Sequence, residues 1–441
     1  MSVKLRNKFC GILLIEIGAL VFFFFFFAPL TYCKALNVSL LLLYIVNAFF
    51  YFKYSKFDTY LDFEPIFIII STIMVYIFPV FVFDGDSTAY LFSFGLPYSL
   101  ETINKGTIVS TVALFSFFCG SLSCEKKVKA VAYVKYVPNN ILMLFSLACY
   151  FIFALLGGFD AIRSAYKGGG ALGAEKYIMP FLIASIHVII FNAFWNYIYF
   201  KKKNIIPLTY SLIVAIQFML SGNRTVALYI LMPIIILYSL KFKKISVWSF
   251  FSFILVSLIL MNYIQYFRSG YSFNADLDWF YRVSDLLIPN TNTYLALEYV
   301  DCYGISFGIS SLASILLLIP FSQSYIVNTF DFPVKMLNSA YIFSDYLGTS
   351  VMGIGMGTNF IASSYLAFGM IGAVCGPYLF GYVIKLLKND LFSNYYKSII
   401  YVVICGFSVY VVRSGILYML SFIFYALIIA SLNYGYYKYR K

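Results

Sequence analysis

Seven arginines stand beside twenty-four lysines in this chain, and five of the seven (Arg163, Arg224, Arg268, Arg282 and Arg413) fall on the side of a membrane opposite most lysines. A guanidinium is a planar, permanently charged fork that grips two oxygens of a phosphate or carboxylate at once, whereas an ammonium offers a point charge. Arginine gathered where lysine is scarce points to anion recognition. Arg224 is the sharpest case, inside the polar turn Ser221-Gly222-Asn223-Arg224-Thr225 between two short apolar runs. Runs of about 15 residues fall short of the ~20 that cover the hydrocarbon, so the turn is expected to sink below the surface, where a charge must pair or face water. Arg268, in Tyr266-Phe267-Arg268-Ser269-Gly270, stands at the mouth of the same region. Arg413 occupies a very short turn before the last apolar run and reads as an interface anchor or a cavity residue. Arg163 has Asp160 beside it and Arg282 has Asp278 and Asp285, so ion pairing is the competing reading for these two.

Asp276, Asp278, Asp285, Glu298, Asp301 and Asp345 supply carboxylates that could act as a general base or bind sugar hydroxyls, and spacing does not choose among them. Tyr271, Trp279, Tyr281, Tyr294, Tyr299 and Tyr303 lie among Asn and Asp, the mixture that stacks on sugar rings and hydrogen-bonds to them. His187, the one histidine, falls in the middle of an apolar run, where a buried neutral ring bonded to a neighbouring helix is expected over a catalytic base. Lys167 with Gly168, Gly169 and Gly170 lacks the remainder of a phosphate-binding loop and reads as a lid. The eight cysteines show no CxxC or Cys/His spacing, so neither a metal nor another cofactor is expected; only Cys33 and Cys302 share the arginine-rich side.

These residues need elements to hold them, and composition decides which kind. With 62% hydrophobic and 11% charged residues, the chain cannot hide its apolar surface in water. Twelve apolar segments read as membrane-crossing helices: Gly11 to Leu30, Leu36 to Phe52, Pro65 to Phe83, Gly106 to Leu122, Asn139 to Leu156, Ile178 to Phe200, Ile205 to Leu220, Val226 to Leu240, Ser246 to Ile264, Ile361 to Ile384, Ser398 to Val412 and Gly415 to Leu432. The first, with its run Phe22 to Phe27, is too long and too aromatic for a signal peptide and is expected to be retained. The expected organisation is spans 1 to 9 over residues 1–264, a large outer region over 265–360, and spans 10 to 12 over 361–441. Lysine and arginine resist translocation, so Lys4, Arg6, Lys8, the Lys-rich loops and the Lys438 to Lys441 tail place both termini in the cytoplasm. Ile305 to Phe321 would invert that topology as a span and is read as a re-entrant or surface-lying helix beside a cavity open to the outer face. The net charge of +13 belongs to this orientation and to anionic membrane lipids; no basic, aromatic-interleaved soluble face suggests nucleic acid.

Two stretches carry a family resemblance. Ser221-Gly222-Asn223-Arg224-Thr225, and the run from Gly355 to Gly372 (GMGTNFIASSYLAFGMIG), resemble the Wzy O-antigen polymerases, as do the chain length, the number of spans and the large late outer region. The resemblance implies a membrane glycosyltransferase at the periplasmic face of the bacterial inner membrane. It joins undecaprenyl-pyrophosphate-linked oligosaccharide repeat units, with a chain-length regulator as a possible protein partner. On that reading Arg224 and Arg268 hold the donor pyrophosphate and Arg163 and Arg282 assist. A carboxylate from the Asp276 to Asp301 region, Asp276 and Asp278 foremost, accepts the hydroxyl proton, and Asn223, Asn359, Tyr365 and Arg413 complete substrate binding. A flippase for lipid-linked oligosaccharide and an O-antigen ligase are the alternatives; no second copy of the Ser221 to Thr225 turn suggests a transporter repeat.

Overall fold

The computed structural model describes residues 3–55, 57, 59–83, 100–124, 134–165, 177–246, 248–249, 252, 288–319, 322–330, 333–348 and 357–439. Among them there are seventeen α-helices and no strand. The first nine are α1 (Val3–Phe26), α2 (Lys34–Ser55), α3 (Phe63–Ile77, continued by a π turn to Val82), α4 (Leu100–Ser123), α5 (Asn140–Leu155), α6 (Gly158–Ala165), α7 (Met179–Phe200), α8 (Ile206–Leu220) and α9 (Arg224–Lys241). Then come α10 (Ile288–Tyr303), α11 (Leu312–Leu316), α12 (Ser322–Phe330), α13 (Ser339–Tyr346), α14 (Phe360–Asn389), α15 (Tyr395–Gly406), α16 (Val411–Ser414) and α17 (Leu420–Tyr439). Eight of these elements are long and apolar enough to cross a membrane, nine if the bent pair α5–α6 counts as one span. The chain is therefore a multi-pass helical membrane protein. Of the other expected spans, Ile205 to Leu220 and Ser398 to Val412 form shorter apolar helices, and most of Ser246 to Ile264 lies outside the described residues.

Helix α4 threads the centre of the bundle and is buried along almost its whole length. Small residues let other backbones close on it, the usual device where lipid removes the hydrophobic drive between helices. A Cβ on Gly120 would stand 1.9 Å from the Tyr378 carbonyl oxygen, and one on Gly381 would stand 2.3 Å from that of Phe117. At its other end, Asn104 is fully buried and fixes the α1–α2 turn, accepting from the Cys33 amide (3.1 Å) and donating to the Thr31 carbonyl (2.7 Å).

Helix α14 departs from the single span expected over Ile361 to Ile384. Phe368 and Gly369 leave helical geometry, and Gly369 takes φ 60°, ψ −144°, a region open to glycine alone. The chain then doubles back. A Cβ on Gly372 would lie 2.0 Å from the Ser364 carbonyl oxygen, and one on Gly376 2.9 Å from the Ser364 Oγ. In a continuous helix, residues twelve apart are separated by about 18 Å. The Phe360 and Phe380 rings both meet Phe67, at 5.2 and 5.9 Å, which only antiparallel limbs allow. Residues 360–367 thus form a short half-helix and 370–389 a longer limb packed against α4.

Two further helices run alongside that half-helix in the same direction. In α10, Tyr294 packs over Gly106, six residues (about 9 Å) below Leu100 of α4, and Glu298 accepts from Thr102 at 3.5 Å, so α10 rises toward the Leu100 end. In α13, Ser339 bonds Thr358 at the base (3.0 Å), and the Tyr346 ring meets Tyr299 (5.8 Å) and Tyr303 (6.3 Å) at the top. The described part of the segment Ile305 to Phe321, residues 305–319, does not cross the bundle. It forms a 3₁₀ turn (Ile309–Ser311) and the five-residue α11, and Ser306 donates to the Leu366 carbonyl beneath the crest of the α14 hairpin.

Candidate functional site

The feet of the three rising helices meet in a buried polar junction. Asn290, Thr291, Asn292 and Thr293 of α10 are all 1% exposed or less. Asn359 is fully buried and caps the half-helix, its Oδ1 accepting from the Ile361 and Ala362 amides at 2.9 and 2.7 Å. Its Nδ2 donates to Thr293 Oγ1 (2.9 Å), tying α14 to α10. Asn338 caps α13 by accepting from the Ala340 amide (3.0 Å). Asn290 donates to the Val75 carbonyl of α3 (3.2 Å) and to the Tyr294 hydroxyl (2.8 Å). Two helix dipoles, from α13 and the half-helix, therefore present their positive ends to one place.

Arg413 belongs to this junction through its backbone. A Cβ on Gly357 would lie 3.9 Å from the Arg413 carbonyl, and one on Gly415 would lie 2.9 Å from Ser363 Oγ. The Arg413 charge also reaches Tyr229 of α9, whose ring stacks on Phe407 at 4.0 Å. Arg224 opens α9, five residues before Tyr229, and Asn223 caps that helix by accepting from the Val226 amide (3.2 Å). The first turn of a helix is where its dipole disfavours a cation. With Arg224 there, the turn is positive from both charge and dipole, a poor arrangement for stability and a good one for an anion. Helix α6 packs Phe159 on Phe218 (5.3 Å), just before that turn. Its Arg163, 54% exposed, pairs with Asp160 at 3.4 Å, the competing reading of that residue.

Above the junction, Tyr365 is buried close enough to Asp301 for the carboxylate to act on its hydroxyl. Partial burial pushes the Asp301 carboxyl up from its ordinary range, with Glu101 adding to the rise and Lys105 opposing it. Asp345 is held by Lys335 at 2.5 Å. Tyr299 and Tyr303, centroids 4.8 Å apart, form an aromatic face beside these acids. Arg268, Arg282, Asp276 and Asp278 lie outside the described residues, as do Asp285, Tyr271, Trp279, Tyr281 and the Lys167 to Gly170 segment.

His187 is a structural residue with a specific cause. Pro233 lies inside α9 and has no N–H to give the Tyr229 carbonyl four residues back. The His187 Nε2–H fills that place at 2.8 Å. Among the described residues no His/Cys/Asp/Glu group could hold a metal.

One charged group has no counterpart in the sequence reading. At the end of the bundle that carries the Lys-rich loops, Asp62 and Glu64 are fully buried. Lys388 pairs with Asp62 and, at 3.5 Å, with Glu64, which Lys385 also reaches at 3.3 Å. Tyr51 (2.6 Å) and Ser121 (2.5 Å) donate to Glu64, and Tyr401 (2.5 Å) to Asp62. The signal was two acids opening an apolar span and two lysines three residues apart closing another; counting those lysines only for orientation hid their pairing.

Comparison with curated proteins and with solved structures returns no match. A sequence model described as O-antigen polysaccharide polymerase Wzy matches residues 14–434. That stretch contains the capped turn at Arg224, the three rising helices and the α14 hairpin, and the chain belongs to the O-antigen polysaccharide polymerase Wzy family.

Proposed function

We propose that this protein joins undecaprenyl-pyrophosphate-linked oligosaccharide repeat units by glycosyl transfer at the periplasmic face of the bacterial inner membrane, with both termini cytoplasmic. The observation that carries this reading is the family match over nearly the whole chain. The geometry supports it: the cationic turn at Arg224 lies at the end of α9 opposite Lys241, away from the Lys-rich loops and the Asp62–Lys388 cluster. Pyrophosphate is already a good leaving group, so the protein has to position two sugars and stabilise the charge that develops on the departing diphosphate. Arg224 does this with a bidentate grip, Asn223 sets the turn that presents it, and Arg413 contributes from the facing segment. Arg163, Asn359 and Tyr365 are proposed to contact substrate, alongside Arg268 and Arg282.

The base takes a proton from the acceptor hydroxyl. Asp276 and Asp278 are candidates from sequence, and Asp301 joins them from structure. It forms no ion pair among the described residues, lies beside Tyr365 and an aromatic face, and has its carboxyl raised toward the range where proton transfer is efficient. A chain-length regulator is the expected protein partner.

Lipopolysaccharide from a deletion strain, resolved by gel, tests the proposal. Loss of a polymerase leaves core capped by one repeat, and the wild-type gene restores the ladder. Uncapped core with polymer held on its lipid carrier would assign a ligase instead, and repeat units stranded on the cytoplasmic leaflet a flippase.

A further inference from the structure

Among the described residues, Ser71 of α3, Ser110 of α4 and Ser408 between α15 and α16 are fully buried serines whose hydroxyls have no hydrogen-bond partner. In membrane helices such a hydroxyl normally turns back to the carbonyl four residues earlier. Thr107, Thr111 and Ser116 of this chain do so, at 2.9, 2.8 and 2.8 Å. Ser71 and Ser110 do not, and both face the same place. Ser71 lies one turn from Phe67, whose ring meets Phe360, and one turn from Val75, whose carbonyl binds Asn290. Ser110 is one turn from Gly106, which lies beneath Tyr294, and two turns from Phe117, whose ring meets Phe67 at 4.5 Å. Residues four apart share a helix face. Both serines therefore lie on helix faces turned toward the feet of α10, α13 and the α14 half-helix, where two dipoles end.

We infer that this buried junction is an oxyanion site, taking the phosphate or pyrophosphate class of ligand through the Ser71 and Ser110 hydroxyls and the positive ends of α13 and the α14 half-helix. The inference rests on the proposed polymerase reading for its natural occupant, a lipid-linked diphosphate. The chemistry favours an anion over a cation because hydroxyl donors and helix N-termini converge there. The nearest described carboxylates stand apart, with Asp62 and Glu64 at the Lys-rich end and Glu298 and Asp301 near the top of α10. Arg413 borders the site through its backbone, its carbonyl lying beside Gly357.

The test titrates the full-length chain in lipid nanodiscs with inorganic pyrophosphate and, separately, with undecaprenyl pyrophosphate doped into the lipid, following the thermal unfolding midpoint. Removing an unpartnered buried hydroxyl leaves the ligand-free fold as stable or more so. The S71A/S110A double variant is therefore expected to keep the wild-type midpoint without ligand and to lose about tenfold or more in apparent affinity. Ser71→Asp, which places a like charge in the site, should abolish binding. A serine-dependent shift with pyrophosphate alone identifies a free-anion site; one seen only with the lipid form identifies the headgroup. Equal affinity of wild type and double variant for both probes, or no binding by wild type, overturns the inference. A chain that polymerises yet binds pyrophosphate independently of these serines loses this site and keeps the proposed function. Serine-dependent binding in a chain that makes no polymer does the reverse.

Discussion

Arg224 carries the largest chemical demand at the residue scale. Arg224→Ala, at equal membrane level, should reduce long-chain polysaccharide to single repeats, and Arg224→Lys should fail nearly as badly if two oxygens are gripped at once; the readout is the lipopolysaccharide ladder, and a normal ladder from Arg224→Lys removes the bidentate role. Asp301 predicts a pH profile. A base works deprotonated, and a carboxyl raised above its ordinary range loses that form at a higher pH as acidity increases, so the acid limb of activity should lie higher than an ordinary aspartate gives. Lys105 holds the group down and Glu101 pushes it up, so Lys105→Ala should move the limb to higher pH and Glu101→Gln to lower pH. Identical limbs in both variants would exclude Asp301 as the base. The turn at Asn223 and Arg224 was legible in sequence because a polar, charged stretch between two short apolar runs ends one helix and starts the next. Asp301 was one of six equivalent carboxylates until Tyr365, Lys105 and Glu101 were placed around it.

At the scale of elements, apolar runs identified most helices because length and hydropathy decide what can cross a bilayer. They could not show that the run from Ile361 to Ile384 is a hairpin, because two antiparallel limbs have the same composition as one straight span. The clues are local: a glycine at the crest and Gly372 and Gly376 where the limbs touch. Gly372→Val should force the limbs apart, since even a Cβ would sit 2.0 Å from the Ser364 carbonyl. The expected result is loss of folded protein from the membrane, measured by detergent-resistant monodispersity, and an ordinary elution profile would rule out the tight hairpin. The Asp62–Glu64–Lys385–Lys388 cluster fastens the base of the long limb to α3. Lys388→Ala leaves two carboxylates sharing the single remaining lysine in a buried site and should cost roughly 3–5 kcal/mol, seen as a lowered unfolding midpoint. A midpoint within error of wild type would make the cluster dispensable.

For the whole molecule, the layout is asymmetric along the bundle. The buried acid–lysine cluster and most lysines occupy one end, while Arg224, Glu298 and Asp301 lie toward the other. Lysine orients the chain by the loops it fills, which leaves arginine for the proposed oxygen recognition. The junction could not be read from the sequence, because Asn290 to Thr293, Asn338 and Asn359 are separated in it and meet only when three short helices rise side by side. The most direct measurement supplies purified full-length chain in liposomes with an undecaprenyl-pyrophosphate-linked repeat unit and no other protein, then resolves the products by length. The account predicts a ladder of two or more repeats on the lipid carrier, absent with Arg224→Ala. A product that stays at one repeat with folded wild-type chain would contradict it.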